Sequence, residues 1–335
     1  MATTYLHVTP AGADTKNGTT WATAMGLAEF KTSIEALGSP VDYTYFIKEG
    51  QYTFTADIFA SGDGAEGTPC FIIGVKSATT NEGANVVPSD YADGNARPEF
   101  VCGGYTFGQD NYWKIFNIRA TGTDTDVLTA DLNALYYNCS AINSSITAGR
   151  GAFNVYTTST LVGCYGESTN GNAFLAYSGS VMFGCYAADS DNGLIITQGG
   201  QHVSFCIFDS CTTGINLVNF NNNTIINNTI YNCTTGIKNT TGGTPATSYN
   251  NLIMNSIIND CTTGVDWFAK TESNLWINNN FEGNGDDWAT GDEPIMTNLG
   301  ETAVDPQFTT PGSDFSLGSG SGCIDAGKSI ELGVG

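Results

Sequence analysis

The sequence predicts an all-β solenoid, a parallel β-helix of about 22 residues per rung behind an N-terminal capping helix. Three observations predict it. Glycine anchors recur at Gly171, Gly193, Gly214, Gly236 and Gly264, spaced 22, 21, 22 and 28 residues, the last three in the phrase "CTTG". The long interval contains "KNTTGGTPATSYNN", a run of turn formers that enlarges one rung. Cysteines keep the same step: Cys139, Cys164, Cys185 and Cys206 are 25, 21 and 21 residues apart, and Cys211, Cys233 and Cys261 are 22 and 28 apart. Between the anchors lie strand-like runs such as "TLVGCY", "VMFGCY" and "NTIIN", too short for helices of ordinary length.

The elements follow in order. "TWATAMGLAEFKTSIEAL" places Trp21, Ala24, Met25, Leu27, Ala28, Phe30 and Ile34 on one apolar helical face, suited to plugging the open end of a coil. "VDYTYFIKEGQYTFT" reads as two strands about a Glu-Gly turn. Residues 1–40 are therefore the cap, 41–325 the β-helix with its closing segment, and 326–335 a tail. In "NNTIINNTIYNCTTGI" and its near copy "NNLIMNSIINDCTTGV", Asn and Thr belong at stacked corners and Ile, Val, Cys and Phe inside, with Ile226 taken as an inward residue. Disorder is excluded by composition, since 41% of the 335 residues are hydrophobic, including 18 Phe and 15 Tyr.

The opening "YLHVTPAGADTKNGTTWATA", the turn "YFIKEGQYT" and the ending "DPQFTTPGSDFSLGSGSGCIDAG" resemble the start, first rung and close of right-handed parallel β-helix proteins of the pectate-lyase-like superfamily. The likeness includes its chondroitinase B and alginate-lyase-like branch and spans essentially the whole chain. It departs at Gly322 and Cys323, where the family reads Ser-Pro. It implies a right-handed coil. It leaves activity open, because the superfamily contains lyases, hydrolases, epimerases, tailspikes and structural virion proteins.

Eleven Lys and Arg against 33 Asp and Glu give a net charge of −22, which excludes nucleic acid and membrane insertion and repels acidic polysaccharides. The first residues show neither a basic nor an apolar signal region, so folding in a host cytoplasm without a signal peptide is expected. Ten cysteines stacked in columns are read as buried free thiols rather than disulfides, and no C-x2-C pair suggests zinc.

A lyase needs a base and a cation beside a uronate. Lys114, Arg119, Arg150, His202, Lys238 and Lys270 share no rung position, although Arg119 and Arg150 are spaced to lie one rung apart. The resemblance implies that a lyase would bring a Lys and an Arg together on neighbouring rungs. A hydrolase needs only two carboxyl groups. Glu167, Asp189 and Asp209 follow Cys164, Cys185 and Cys206 by three, four and three residues, with Asp191 beside them. They read as solvated corners, as a Ca2+ site, or as a catalytic column. No other cofactor is expected. Trp267, Trp276, Trp288 and Tyr177 are candidates for stacking on sugars or for packing the coil.

The reading that uses these features together is a non-catalytic structural or recognition protein on the surface of a virion or extracellular particle, of capsid-decoration or short-fibre type. Its partners would be other particle proteins, further copies of itself as a homotrimer, or a glycan. The alternative is a hydrolase or lyase acting on surface glycans.

Overall fold

The computed structural model describes residues 3–13, 16–38, 42–144, 148–218, 221–240, 250–267, 274–289, 298–299 and 302–328. Lys270, most of the loop at 241–249 and the tail beyond 328 lie outside the described residues. The chain divides into two compact units, Met1–Cys185 and Tyr186–Gly335, and both are stretches of parallel β-helix.

In the first unit, sheet A comprises Thr4–Val8, Tyr43–Lys48, Cys70–Val75, Trp113–Phe116, Leu135–Tyr137, Thr160–Val162 and Val181–Phe183. Sheet B comprises Gln51–Thr53, Glu99–Gly103, Arg119–Gly122, Ser140–Asn143 and Tyr165–Ser168. Sheet C comprises Ile58–Ala60, Phe107–Gln109, Leu128–Ala130, Gly151–Val155 and Asn172–Ala176. The Glu-Gly turn at 49–50 is thus a corner of the coil between sheets A and B, with no hairpin pairing.

The second unit repeats the pattern. Sheet A holds His202–Ser204, Thr224–Ile226, Leu252–Met254, Leu275–Ile277 and Asn298–Leu299, and sheet B holds Tyr186–Ala188, Ile207–Asp209, Thr229–Tyr231, Ile257–Asn259 and Asn280–Glu282. Sheet C holds Asn192–Ile196, Thr213–Val218, Thr235–Thr240, Thr263–Trp267 and Asp286–Trp288.

Corner chemistry accounts for the asparagine. Each bend needs a residue with positive φ, which only Gly, and to a lesser degree Asn and Asp, adopts without strain. Of the 19 described non-glycine residues with positive φ, nine are asparagines, including Asn227, Asn255 and Asn278, which follow sheet A strands on successive rungs. A second set of asparagines faces inward. The Asn223 backbone N–H and Nδ2 donate to Asn251 Oδ1 at 3.0 and 2.9 Å, and Asn251 donates likewise to Asn274 Oδ1, at 3.0 Å in both bonds. These side chains are buried, and the ladder satisfies corner amides that the strand ladder misses.

The anchor glycines have a steric cause. A Cβ on Gly214, Gly236 or Gly264 would lie 2.5–2.7 Å from a backbone oxygen of the next rung. The cysteines are all free thiols. Cys139, Cys164, Cys185 and Cys206 each stand one residue before a sheet B strand and are at most 2% exposed. Burial pushes the Cys139 thiol up to about 12, so it stays protonated and unreactive.

The core sits inside each coil, and a one-residue parity matters there. Ile225 is buried in register with Val203 and Ile253, whereas Ile226 points outward and is half-buried, opposite to the sequence expectation. The run of isoleucines hides this, because both faces of that strand are apolar.

The cap also departs from expectation. Helix α1 spans only Leu27–Glu35, beginning at Gly26, whose N–H donates to Glu29 Oε2 at 3.2 Å. Trp21–Thr23 forms a separate short turn, and between them Met25 bridges in parallel to Val8, which pulls the chain into an extended conformation. Phe30 and Ile34 are buried, with Phe30 edge-on to Tyr45 at 5.3 Å. Strand Thr4–Val8 already belongs to sheet A, so the cap is partly rung.

His7 locks the cap. Its ring is fully buried, Nδ1–H donates to the Gly18 carbonyl at 2.9 Å, and Nε2 accepts from the Gly83 N–H at 3.3 Å. Trp21 stands edge-on at 4.5 Å, with the Lys48 ammonium over its ring at 4.3 Å. Burial lowers the His7 pKa from its ordinary value of 6.5, partly offset by the Gly18 carbonyl and Glu82. The unfolded chain therefore binds the proton more readily. This contribution is complete above pH 6.5 and is lost as pH falls through 6.5 toward the lower folded value. His7→Gln keeps an acceptor for Gly83 but does not titrate. Between pH 7 and pH 5 the wild type should lose more thermal stability than this variant, and equal losses would reject the lock.

Candidate functional site

The groove with the densest chemistry lies on the outer face of sheet C in the first unit. Ile58, Phe107, Leu128 and Phe153 stack inward in register, so alternation turns Phe59, Gly108, Thr129 and Asn154 outward on successive rungs. Gly108 leaves room for its neighbours: a Cβ there would lie 2.6 Å from the Phe59 ring and 2.7 Å from Thr129 Oγ1.

One residue beyond these strands, a single position on four rungs is filled by Asp110, Asp131, Tyr156 and Tyr177. The Asp131, Tyr156 and Tyr177 N–H groups donate to Gln109, Ala130 and Val155 carbonyls at 3.2, 2.9 and 2.9 Å. The two tyrosine rings stack at 4.7 Å and 10°. On the other side, Asp126 accepts from the Gly151 N–H at 2.7 Å and from Asn154 Nδ2 at 3.3 Å, and Arg150 Nη1 approaches it to 3.7 Å. The groove between holds about 400 Å³.

Two side chains of these strands are buried yet incompletely paired, Gln109 turned into the coil with Phe107 and Asn154 turned outward with Thr129. Gln109, 4% exposed, accepts the Tyr136 hydroxyl at 2.8 Å through Oε1, while its Nε2 has no hydrogen-bond partner among the described residues. Asn154, 5% exposed, has no partner for Oδ1. Leaving such an atom unpaired costs about 1–3 kcal/mol, so a polyhydroxylated ligand that pairs Asn154 gains correspondingly.

Three carboxylates against one guanidinium make the groove acidic. The Asp110 pKa is raised, first by burial and then by the like charges of Asp63 and Asp131, against the Gly62 N–H bonded to it at 3.2 Å. Asp110 and Asp131 stand at the same position on adjacent rungs, whose backbones lie ~4.8 Å apart along the ladder, and a pair of carboxyl groups is what glycosidases use.

The residues singled out from sequence lie elsewhere. Glu167 is half-buried on sheet B and accepts from Tyr165 at 2.7 Å. Asp209 does not share a rung position with Asp189: it pairs in register with Ala188. The four-residue offset carries Asp189 past its strand into a corner of positive φ, aligned with Ser210, Asn232 and Asp260. Asp191 is half-buried in the turn that follows, its carbonyl accepting the Thr213 N–H at 2.8 Å.

Asp209, expected as an exposed corner, is only 5% exposed. Its oxygens accept from Tyr186 at 2.7 Å and from Ser210 at 2.9 Å. The C-terminal hairpin Phe308–Thr310 with Asp314–Leu317 explains the burial, because Phe315 packs on Tyr186 and Tyr231 at 6.3 and 5.4 Å. Among the described residues no group of three His, Cys, Asp or Glu side chains is arranged to hold a metal.

Arg119 and Arg150 are not neighbours on one ladder: Arg119 is on sheet B against Glu99 at 3.6 Å, and Arg150 introduces a sheet C strand. Lys114 lies over Phe71, Lys238 pairs with Asp266 at 3.1 Å, and His202 pairs across sheet A with Thr224. Trp267 and Trp276 are buried and contact each other at 5.4 Å, with Trp288 on Trp276 at 4.8 Å, so they pack rather than bind. Of the earlier candidates Arg150 lines the groove, and Tyr177 stacks on Tyr156, which lines it. The missed signal was present: Asp110 and Asp131, and Tyr156 and Tyr177, are each 21 residues apart, the step of the cysteines.

Residues 150–298 match the family model described as a right handed beta helix region. Together with the three parallel sheets, this match shows the fold to be a right-handed parallel β-helix. No curated protein matches. Among solved structures the chain is similar to the Azotobacter vinelandii mannuronan C-5 epimerase AlgE6 A-module, at 13% identity over 84% of this chain and 96% of that one, with a TM-score of 0.49. It is similar to an alginate lyase from Paenibacillus sp. str. FPU-7, at 11% identity over 88% and 98% with a TM-score of 0.38. It is also similar to ORF18 of Geobacillus virus E2, at 10% identity over 83% and 56% with a TM-score of 0.38.

Proposed function

We propose that the protein is a recognition β-helix of a virion or other extracellular particle that holds a neutral saccharide in the sheet C groove of its first unit. The observation that carries the saccharide is the buried, half-paired amide of Asn154 beside the stacked Tyr156 and Tyr177. Sugars present hydroxyls for such amides and apolar C–H faces for such rings. An acidic groove on a chain of net charge −22 disfavours uronate polymers, hence a neutral or amino sugar. The particle assignment draws on two stretches of parallel β-helix whose strands pair rung to rung and whose free thiols, Cys323 apart, are buried.

Titration calorimetry against neutral oligosaccharides should find a ligand whose affinity drops about tenfold in Tyr156→Ala and in Asn154→Leu, without loss of thermal stability. Absence of binding to any neutral or amino sugar rejects this reading. The equivalent positions of Asp110 and Asp131 favour a second one, hydrolysis, in which Asp110, its pKa raised by burial, donates a proton to the leaving oxygen, Asp131 serves as the second carboxylate, and water supplies the new bond to the sugar. Release of reducing ends that disappears in Asp131→Asn while binding persists would establish it.

A further inference from the structure

We infer that the outer face of sheet A in the first unit is a self-association surface, and that its partner is a second copy of this chain. On the five strands from Cys70–Val75 to Val181–Phe183, Ile72, Ile115, Tyr136, Leu161 and Met182 turn inward. The alternate positions face outward, and they are not polar as a solvated sheet face requires. Phe116, Tyr137, Val162 and Phe183 stack in register, and Tyr137 and Phe183 are 46% and 48% exposed. The column beside it is Phe71, Lys114, Leu135, Thr160 and Val181.

The chain itself shows that this stripe takes a cover. At its start, Ile73 and Val75 form an apolar cluster with Phe46, and Val86 and Tyr91 of the excursion that follows residue 75 pack over them. Ile73 is 6% exposed as a result, while the same column two rungs on is nearly half exposed. The cover ends and the stripe continues.

Charge selects the occupant. In a chain with 33 acidic residues against 11 basic ones, two copies repel over most approaches. The outward positions of these five strands include no Asp or Glu and a single charge, Lys114. Spacing points the same way. The side chains form ridges repeating every ~4.8 Å, and a second copy has ridges of the same pitch, so the two faces interdigitate rung by rung.

Sedimentation velocity of the full chain from about 1 to about 100 µM tests this, with self-association moving the mass from 35.3 kDa to a multiple of it. Raising salt should strengthen association, because it screens like charge and leaves apolar contact intact. Tyr137→Glu and Phe183→Glu, each at an exposed position, should return the protein to 35.3 kDa with an unchanged melting temperature. A wild type that stays monomeric throughout overturns the inference, as does an oligomer that survives both substitutions or dissolves as salt rises. Saccharide binding plays no part in this test.

Discussion

Ile225→Asp is expected to unfold the second unit, while Ile226→Asp, one residue away, leaves it standing. Ile225 is fully buried between Val203 and Ile253, so a carboxylate there has no solvent and no cation, and the loss should exceed about 4 kcal/mol. Ile226 is half-buried on the outer face, and the same substitution should cost about 1 kcal/mol or less. Each rung touches only its neighbours, so the damage at Ile225 cannot be shared over the coil. Urea denaturation of the two variants, followed by circular dichroism, measures the difference directly. Comparable losses would mean that the strand is one residue out of register.

Gly236→Ala should destabilise by about 1–3 kcal/mol or more through overpacking, although Ala is ordinarily the better strand residue. The added Cβ would lie 2.5 Å from the Gly264 oxygen and 2.9 Å from Ile258 Cγ2. Relief requires parting two rungs that are held in register from Thr235 and Thr263 to Asn239 and Trp267. Gly163→Ala provides the comparison. Gly163 has φ +59° with nothing within 4 Å, so its cost is the backbone preference alone, about 1–2 kcal/mol. Since these ranges overlap, the discriminating measurement is structural. Gly236→Ala should accelerate amide exchange in the Thr263–Trp267 strand, and Gly163→Ala should disturb only its own corner. Unchanged exchange at Thr263–Trp267 would remove the steric account of the "CTTG" anchor.

The sequence by itself determined the solenoid, its period, its cysteine columns and its asparagine corners. These are local requirements repeated every rung: a left-handed bend accepts Asn or Gly, and a close approach of two backbones accepts only Gly, so the same letters recur at one spacing. Tertiary structure alone decided which side of a strand each residue faces. Where both faces are apolar, as at Ile225 and Ile226, the pattern holds no parity signal, and a shift of one residue reverses inside and outside. It also decided the fate of the carboxylates. Asp189 and Asp209 differ by one residue in their offset from cysteine, yet one bends a corner and the other is buried beneath Tyr186 and Phe315, which follows it by more than a hundred residues. The groove was legible only as a 21-residue step between Asp110 and Asp131 and between Tyr156 and Tyr177. Burial of Gln109 and Asn154 beside them depends on which side chains the rungs above and below bring against them. No stretch of sequence contains that information, because those contacts exist only once the coil has closed.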